Sequence, residues 1–222
     1  MNKTLTTVFA LAVASVTGWA AAQEVKGDAK AAEGKIAMCI GCHGIVGYKA
    51  SFPEVYQVPK ISGQNGKYIE AALHAYKKGD RKHPTMRAIA DSLTDQDIAD
   101  LAAYYEKHTT GDVTVAEKPS REPSTKTAEL LKKGTCASCH GDNFSKAIDP
   151  TYPKLGGQNA DYLYAALKSY TVEKSGYIGR SHPVMGAMAK QFNHAEMKEL
   201  ADYIGSLQGG LQTVPESRFR SK

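Results

Sequence analysis

The stretch Cys39-Ile40-Gly41-Cys42-His43 decides how this chain folds, and its pattern returns as Cys136-Ala137-Ser138-Cys139-His140. Two cysteines separated by two residues and followed at once by histidine form the attachment signature of a c-type haem. The spacing suits the chemistry, because two thiols about one helical turn apart can add to the two vinyl groups of one porphyrin. The histidine then lies under the ring, where it can bind the iron.

The two motifs use all four cysteines of the chain. A zinc ribbon would place its cysteine pairs roughly 15–20 residues apart, whereas Cys42 and Cys136 are 94 residues apart. A thioredoxin-like motif needs a neighbouring βαβ pattern, and disulfides would not explain a histidine after each pair. The sequence therefore predicts two covalently bound haem c groups. Their predicted attachment and proximal-ligand residues are Cys39, Cys42 and His43, and Cys136, Cys139 and His140.

The first 22 residues have the pattern of a secretory signal peptide. Lys3 supplies the positive start, residues 8–14 are apolar, and Ala20-Ala21-Ala22 forms a small-residue cleavage site before Gln23. A retained membrane anchor is the alternative, but the apolar run is short for a span and is followed by polar residues. Because such haem motifs are loaded outside the cytoplasmic membrane in bacteria, we expect a mature periplasmic protein.

The two halves of the chain resemble each other well beyond the haem motifs. The string Pro59-Lys60-Ile61-Ser62-Gly63-Gln64-Asn65 returns as Pro153-Lys154-Leu155-Gly156-Gly157-Gln158-Asn159. The order of all repeated segments is the same, which predicts an internal duplication. The predicted divisions are a signal peptide (1–22), a first domain (23–108), a linker (109–125), a second domain (126–208) and a solvated C-terminal tail (209–222).

Each half shows apolar residues at helical spacing and no alternating strand pattern, so the predicted class is all-α. The predicted stripes are Ile69, Ala72, Leu73 and Tyr76; Ile98, Leu101, Ala102 and Tyr105; Leu163, Ala166, Leu167 and Tyr170; and Met197, Leu200, Ala201 and Ile204. A further helix is expected from Ala29 to Met38. Predicted helix starts are the N-caps Asn65 and Asn159, and the capping-box patterns Thr94-x-x-Asp97 and Asn193-x-x-Glu196.

The sixth iron ligand separates an electron carrier from an enzyme, because methionine closes that position and raises the reduction potential. His83-Pro84-Thr85-Met86 returns as His182-Pro183-Val184-Met185. We therefore predict Met86 and Met185 as the sixth ligands, carried on loops that proline keeps out of regular helix. His83 and His182 are the alternative ligands. Met188 competes with Met185, but its first-half counterpart is Ile89.

With these motifs the chain resembles the dihaem cytochrome c4 family, whose members contain two tandem class I cytochrome c domains. Each half carries the haem motif, the Pro-Lys-(Ile/Leu)-x-Gly-Gln string, a methionine loop and a final acidic helix; the His-Pro-x-Met form of the loop departs from many members. The resemblance implies a pseudo-twofold arrangement, with the propionate edges of both haems near the interface. It also implies that the backbone carbonyls of Pro59 and Pro153 accept hydrogen bonds from the proximal histidines.

The resemblance further implies single-electron transfer between redox proteins, from an upstream donor often to a membrane haem–copper terminal oxidase. One alternative is the dihaem electron-transfer subunit of a dehydrogenase such as a flavocytochrome. An enzyme, such as a dihaem peroxidase or a thiosulfate dehydrogenase, would need an open or unusual sixth position, which the matched methionines argue against. We expect no catalytic residues and no small-molecule substrate. The formal net charge is only +5 and the basic residues are interspersed with acidic ones, so we expect no nucleic-acid partner.

Overall fold

The computed structural model describes residues 25–216, so the predicted signal peptide lies outside the described residues. Two helical halves follow each other, which confirms the predicted all-α class. The first contains α1 (Ala29–Ala32), α2 (Ala37–His43), α3 (Gly66–Lys78), α4 (Pro84–Asp91) and α5 (Asp95–Lys107). The second contains α6 (Thr125–Lys133), α7 (Ala137–His140), α8 (Ala160–Ser169), α9 (Pro183–Ala189) and α10 (His194–Ser206). Short strands add β1 (Lys49–Ala50), β2 (Tyr56–Gln57), β3 (Arg81–Lys82) and β4 (Gly179–Arg180).

The last helix of each half is the centre of its core. In the first half α5 packs against α1 and α3, and in the second α10 packs against α6 and α8. The predicted stripes of both central helices are buried; they are Ile98, Leu101, Ala102 and Tyr105, and Met197, Leu200, Ala201 and Ile204. Both central helices also begin at complete capping boxes, Thr94 with Asp97 and Asn193 with Glu196, which confirms those predictions.

The helix predicted from Ala29 to Met38 is interrupted. The chain leaves α1 after Ala32 and makes a turn that includes Gly34 before α2 begins at Ala37. Glycine disfavours a helix interior because its backbone loses more freedom there than any other residue. The break therefore separates α1 from α2, the helix that contains the haem motif.

The two halves meet around a pseudo-twofold axis. Strands β3 and β4 pair antiparallel across the interface, with Arg81 opposite Arg180. Both arginines precede a His-Pro-x-Met segment by two residues, so equivalent residues face each other. The symmetry is broken by the β1–β2 hairpin of the first half, which lies over α8. There Glu54 forms an ion pair with Lys168, with Oε2 and Nζ 2.5 Å apart.

The repeated Pro-Lys-x-x-Gly-Gln-Asn strings form the centre of this interface. Asn65 and Asn159 stand at the N-cap positions of α3 and α8, but neither side chain caps its helix, so that part of the prediction is wrong. Their amides instead cross the interface: Asn65 Nδ2 donates to the Tyr152 carbonyl at 2.8 Å, and Asn159 Nδ2 donates to the Val58 carbonyl at 2.9 Å.

The expectation of a solvated tail is wrong for its described part. Leu211 and Val214 are buried, and the backbone of Gln212 bridges to Ser62 of the first half. The Gln212 side chain also accepts from the backbone N–H of Thr110 at 2.8 Å. Two isolated apolar residues give no periodic pattern, so the sequence does not predict that the tail packs back onto the first half. Across residues 25–216, none of the helices combines the length and the apolar character that crossing a bilayer requires.

Gly63 provides a test of this tail packing. Its φ is +80°, and an added Cβ would lie 2.6 Å from the carbonyl oxygen of Gly210. Gly63→Ala should lower the free energy of unfolding by more than the ~1–2 kcal/mol of left-handed strain alone. Gly47 is the matched control, because its φ is +74° and nothing lies within 4 Å of the added Cβ. The free energies are measured by guanidinium titration followed by far-ultraviolet circular dichroism. Equal decreases in the free energy of unfolding for both variants would contradict the packing of Gly210 against Gly63.

Candidate haem sites

One cavity of about 830 Å³ runs across the interface and is lined by every residue predicted to bind haem. These residues are Cys39, Cys42, His43 and Met86 from the first half, and Cys136, Cys139, His140 and Met185 from the second. The volume is at the upper end of the range for small-molecule sites. Apolar side chains of the helical stripes also line it, including Leu73, Leu101, Leu163 and Leu167. Such a wall suits a large planar apolar group.

The two haem motifs lie at the ends of short helices. Helix α2 ends at His43, and α7 ends at His140. Each cysteine pair therefore spans about one helical turn, as the attachment chemistry requires. Burial raises the pKa of the Cys39 thiol to about 11 and also raises that of Cys136. None of the four cysteines forms a disulfide, so all four sulfur atoms are available for thioether bonds.

Both proximal histidine rings are oriented by a backbone carbonyl. His43 Nδ1 donates to Pro59 O at 2.7 Å, and His140 Nδ1 donates to Pro153 O at 3.2 Å, which confirms the two contacts that the resemblance implies. A proton on Nδ1 leaves Nε2 with its lone pair free for a metal. Burial lowers the pKa of both rings, so both favour the neutral form that binds iron.

The methionine segments are helical, contrary to the predicted loops. Pro84 and Pro183 take the first positions of α4 and α9, where the missing N–H costs nothing and the fixed φ suits a helix. Met86 and Met185 are the third residues of these helices. Both line the cavity, so their placement agrees with the predicted role although their local structure does not.

His83 and His182 cap the helices that carry the methionines. The backbone N–H of Met86 donates to His83 Nδ1 at 3.4 Å, and that of Met185 donates to His182 Nδ1 at 3.2 Å. A ring that accepts at Nδ1 carries its neutral-form proton on Nε2, so neither nitrogen is free for iron. This arrangement favours methionine over histidine as the sixth ligand.

Met188 lines the same cavity as Met185 and lies one turn later in α9. Its sulfur accepts a weak hydrogen bond from Gln191 Nε2 at 3.6 Å. The histidine cap therefore fixes the backbone of Met185, while Met188 already has a partner.

A partly buried arginine–tyrosine cluster also lines the cavity, and sequence reasoning did not single it out. Arg81 donates to the Tyr162 hydroxyl at 2.6 Å and to the Tyr68 hydroxyl at 3.2 Å, and Arg180 donates to Tyr162 at 3.1 Å. A sequence pattern could have identified the two arginines, because Arg-x-His-Pro occurs in both halves.

The cluster is strongly electropositive. Within the described part of the chain, no carboxylate forms an ion pair with Arg81 or Arg180, and the buried Nε of Arg81 has no hydrogen-bond partner. Burial alone would raise the pKa of Tyr162, but the two guanidinium groups outweigh it and lower the pKa to about 7. Buried cations without anions are costly, so the site fits a group that brings its own carboxylates, as haem does.

Comparisons with known proteins agree with this site. The sequence profile of the family described as "Cytochrome c" matches residues 31–108 and 124–208. Cytochrome c4 of Stutzerimonas stutzeri is 31% identical over 220 residues, which cover 93% of this chain and all of that protein. The crystal structure of reduced recombinant cytochrome c4 from Pseudomonas stutzeri is 28% identical, with a TM-score of 0.58, and the match covers 82% of this chain and 99% of that one.

A more distant relative has a different role in its name. It is the thiosulfate dehydrogenase electron acceptor of Stutzerimonas stutzeri strain A1501, which is 25% identical over 178 residues. The match covers 76% of this chain and 78% of that protein. Proteins similar to this chain thus include one named as the electron acceptor of a dehydrogenase.

The methionine assignment can be tested one haem at a time. Met86→Ala should open only the first iron and Met185→Ala only the second, because each cavity half contains one His-capped methionine. Each variant should lose half of the sulfur-to-iron charge-transfer band of the oxidised protein and bind one carbon monoxide per reduced molecule. His83→Ala, His182→Ala and Met188→Leu serve as controls that keep the band. Loss of the band in a control, with the methionine variants unchanged, would show that the ligand is another residue.

Proposed function

Since this chain belongs to the dihaem cytochrome c4 family, we propose that it carries single electrons in the periplasm from an upstream redox protein to a membrane terminal oxidase. As a member it is an electron-transfer protein with two covalently bound haem c groups. The observation that carries the proposal is that one cavity is lined by two matched sets of two cysteines, a histidine and a methionine. Such sets suit reversible one-electron chemistry at two irons.

The proposed ligands of the first iron are His43 and Met86, and those of the second are His140 and Met185. The haems supply the redox chemistry when bound. The chain holds each proximal ring by its carbonyl partner and restricts the distal side with a capped helix. A neutral thioether favours the ferrous state, which suits a carrier of fairly high potential.

The arginine cluster has a proposed role in holding the haem carboxylates. Arg81 and Arg180 meet across the interface, and both line the cavity shared by the two halves. Carboxylates from both haems would neutralise them there. The propionate edges would then lie close together, which supports electron exchange between the two irons within one molecule.

The first half offers an exposed apolar segment beside its haem motif. Ile45, Val46 and Tyr48 follow directly after the first motif, and Val46 is 75% exposed. The corresponding segment of the second half contains Asn143 and Phe144, which are buried. Small apolar patches near a cofactor suit brief contacts with redox proteins, so the first haem is the proposed point of exchange with partners.

The second candidate function is electron acceptance from a dehydrogenase, which the relative in Stutzerimonas stutzeri strain A1501 favours. The same two haems would serve both roles. The partners therefore have to be identified by electron transfer with defined proteins.

Partner choice can be tested with the reduced holoprotein. Membranes containing a haem–copper oxidase should oxidise it in a cyanide-sensitive reaction, and Val46→Asp should slow that reaction several-fold by placing a charge in the apolar segment. Ile148→Asp is the control, because Ile148 of the second half is similarly exposed, at 71%, and does not line the cavity. Reduction by a thiosulfate dehydrogenase, combined with no turnover on oxidase membranes, would replace the proposal by the second candidate.

The arginine role predicts a shift in reduction potential. Arg81→Met and Arg180→Met should lower the haem potentials, because removing a nearby cation stabilises the ferric state. Arg87→Met is the control, since Arg87 is exposed on α4 and forms an ion pair with Asp91. Spectroelectrochemical titration measures the shift. Equal potentials in all three variants would show that Arg81 and Arg180 do not face the haem carboxylates.

A further inference from the structure

The interface between the halves is built from a reciprocal pair of buried glutamines. Gln158 Oε1 accepts from the backbone N–H of Lys60 at 2.9 Å, and its Nε2 donates to the Lys60 carbonyl at 2.9 Å. Gln64 does the same to Lys154, with distances of 2.8 and 3.0 Å. Gln64 is 3% exposed and Gln158 is 4% exposed.

The orientation of both amides is fixed by a third contact. Gln64 Oε1 also accepts from the backbone N–H of Asn65 at 2.9 Å, and Gln158 Oε1 accepts from that of Asn159 at 3.0 Å. Reversing either amide would place its NH₂ group against two N–H donors and its oxygen against a carbonyl. Each glutamine therefore presents its oxygen to the lysine N–H of the opposite half.

That N–H belongs to the same peptide group as the carbonyl that orients the proximal histidine. The peptide between Pro59 and Lys60 accepts from His43 Nδ1 at its oxygen and donates to Gln158 at its nitrogen. The peptide between Pro153 and Lys154 accepts from His140 and donates to Gln64. Each proposed proximal ligand is thus joined through one peptide group to a glutamine of the other half.

We propose that Gln158 and Gln64 are crossed positioning residues, each of which sets the reduction potential of the haem in the half opposite its own. An acceptor at the peptide N–H draws charge onto the peptide oxygen, because hydrogen bonds in a chain polarise one another. A more negative oxygen pulls harder on the Nδ1 proton and makes the imidazole a more basic ligand. A more basic ligand stabilises ferric iron and lowers the potential.

Docking of the two halves therefore sets the reduction potentials of both haems. The bond from His43 to Pro59 is shorter than that from His140 to Pro153, at 2.7 against 3.2 Å, so Gln158 should have the larger effect. This inference rests on the proposed ligation by His43 and His140.

The test measures both potentials in holoprotein variants by a redox titration followed by proton NMR, in which the two haems give separate signals. Gln158→Met removes the acceptor while keeping the side-chain length, so it should raise the potential of the first haem. The shift should favour its reduction by threefold or more, which is about 28 mV for one electron. Gln64→Met should raise the potential of the second haem by less.

A second variant at the same position should shift the potential of the first haem in the opposite direction. In Gln158→Glu a carboxylate replaces the amide oxygen as a stronger acceptor, so it should lower the potential of the first haem more than that of the second. The matched control is Asn159→Ala, which removes the cross-interface bond to Val58 but leaves the Pro59–Lys60 peptide untouched. It should leave both potentials near those of the wild type.

Several outcomes would overturn the inference. They are shifts confined to the haem of the glutamine's own half, equal shifts in Asn159→Ala, or the same sign for Met and Glu at the first haem. Each would show that the glutamine does not act through the peptide group of the opposite half. The proposed function is judged separately, because the wild-type protein must keep two haems per chain, its charge-transfer band and its turnover on oxidase membranes. Unchanged potentials in variants that keep these properties would defeat the crossed role alone.

Discussion

The hydrogen bond from each proximal histidine to a backbone carbonyl connects the chemistry of this protein to its architecture. The carbonyls of Pro59 and Pro153 fix the rings of His43 and His140, and the residue after each proline forms the interface between the halves. A movement that separated the halves would therefore disturb both irons before it disturbed either helical core. This constraint would tie the geometry at both proposed irons to the docking of the two halves.

The interface between the halves also accounts for the position of two arginine side chains. Arg81 is buried and Arg180 lies half-buried opposite it, where isolated cations would be unstable. Tyrosine hydroxyls satisfy part of their hydrogen-bonding capacity, and two dianionic haems would supply the missing negative charge. The cost of withdrawing the arginines from water would then be offset in the loaded protein, which would couple haem attachment to docking of the halves.

The sequence was sufficient for the features that are local or repeated. The Cys-x-x-Cys-His spacing, the stripes of α5 and α10 and their capping boxes all act within one or two helical turns. The glutamine contacts join residues 98 and 90 positions apart, so no local pattern could assign them. Asn65 and Asn159 were misread because a residue at an N-cap position usually uses its side chain there. Proline before Met86 likewise allows either a loop or a helix start, and only the tertiary position decides.

The central claim is that each iron is held between a histidine and a methionine, so that the protein carries electrons and does not activate small molecules. Near-infrared magnetic circular dichroism of the oxidised wild-type protein tests this claim most directly, because the signal of a low-spin ferric haem depends on its axial pair. We expect two histidine–methionine haems per chain and no other species. A high-spin or bis-histidine signal from either haem would contradict the account.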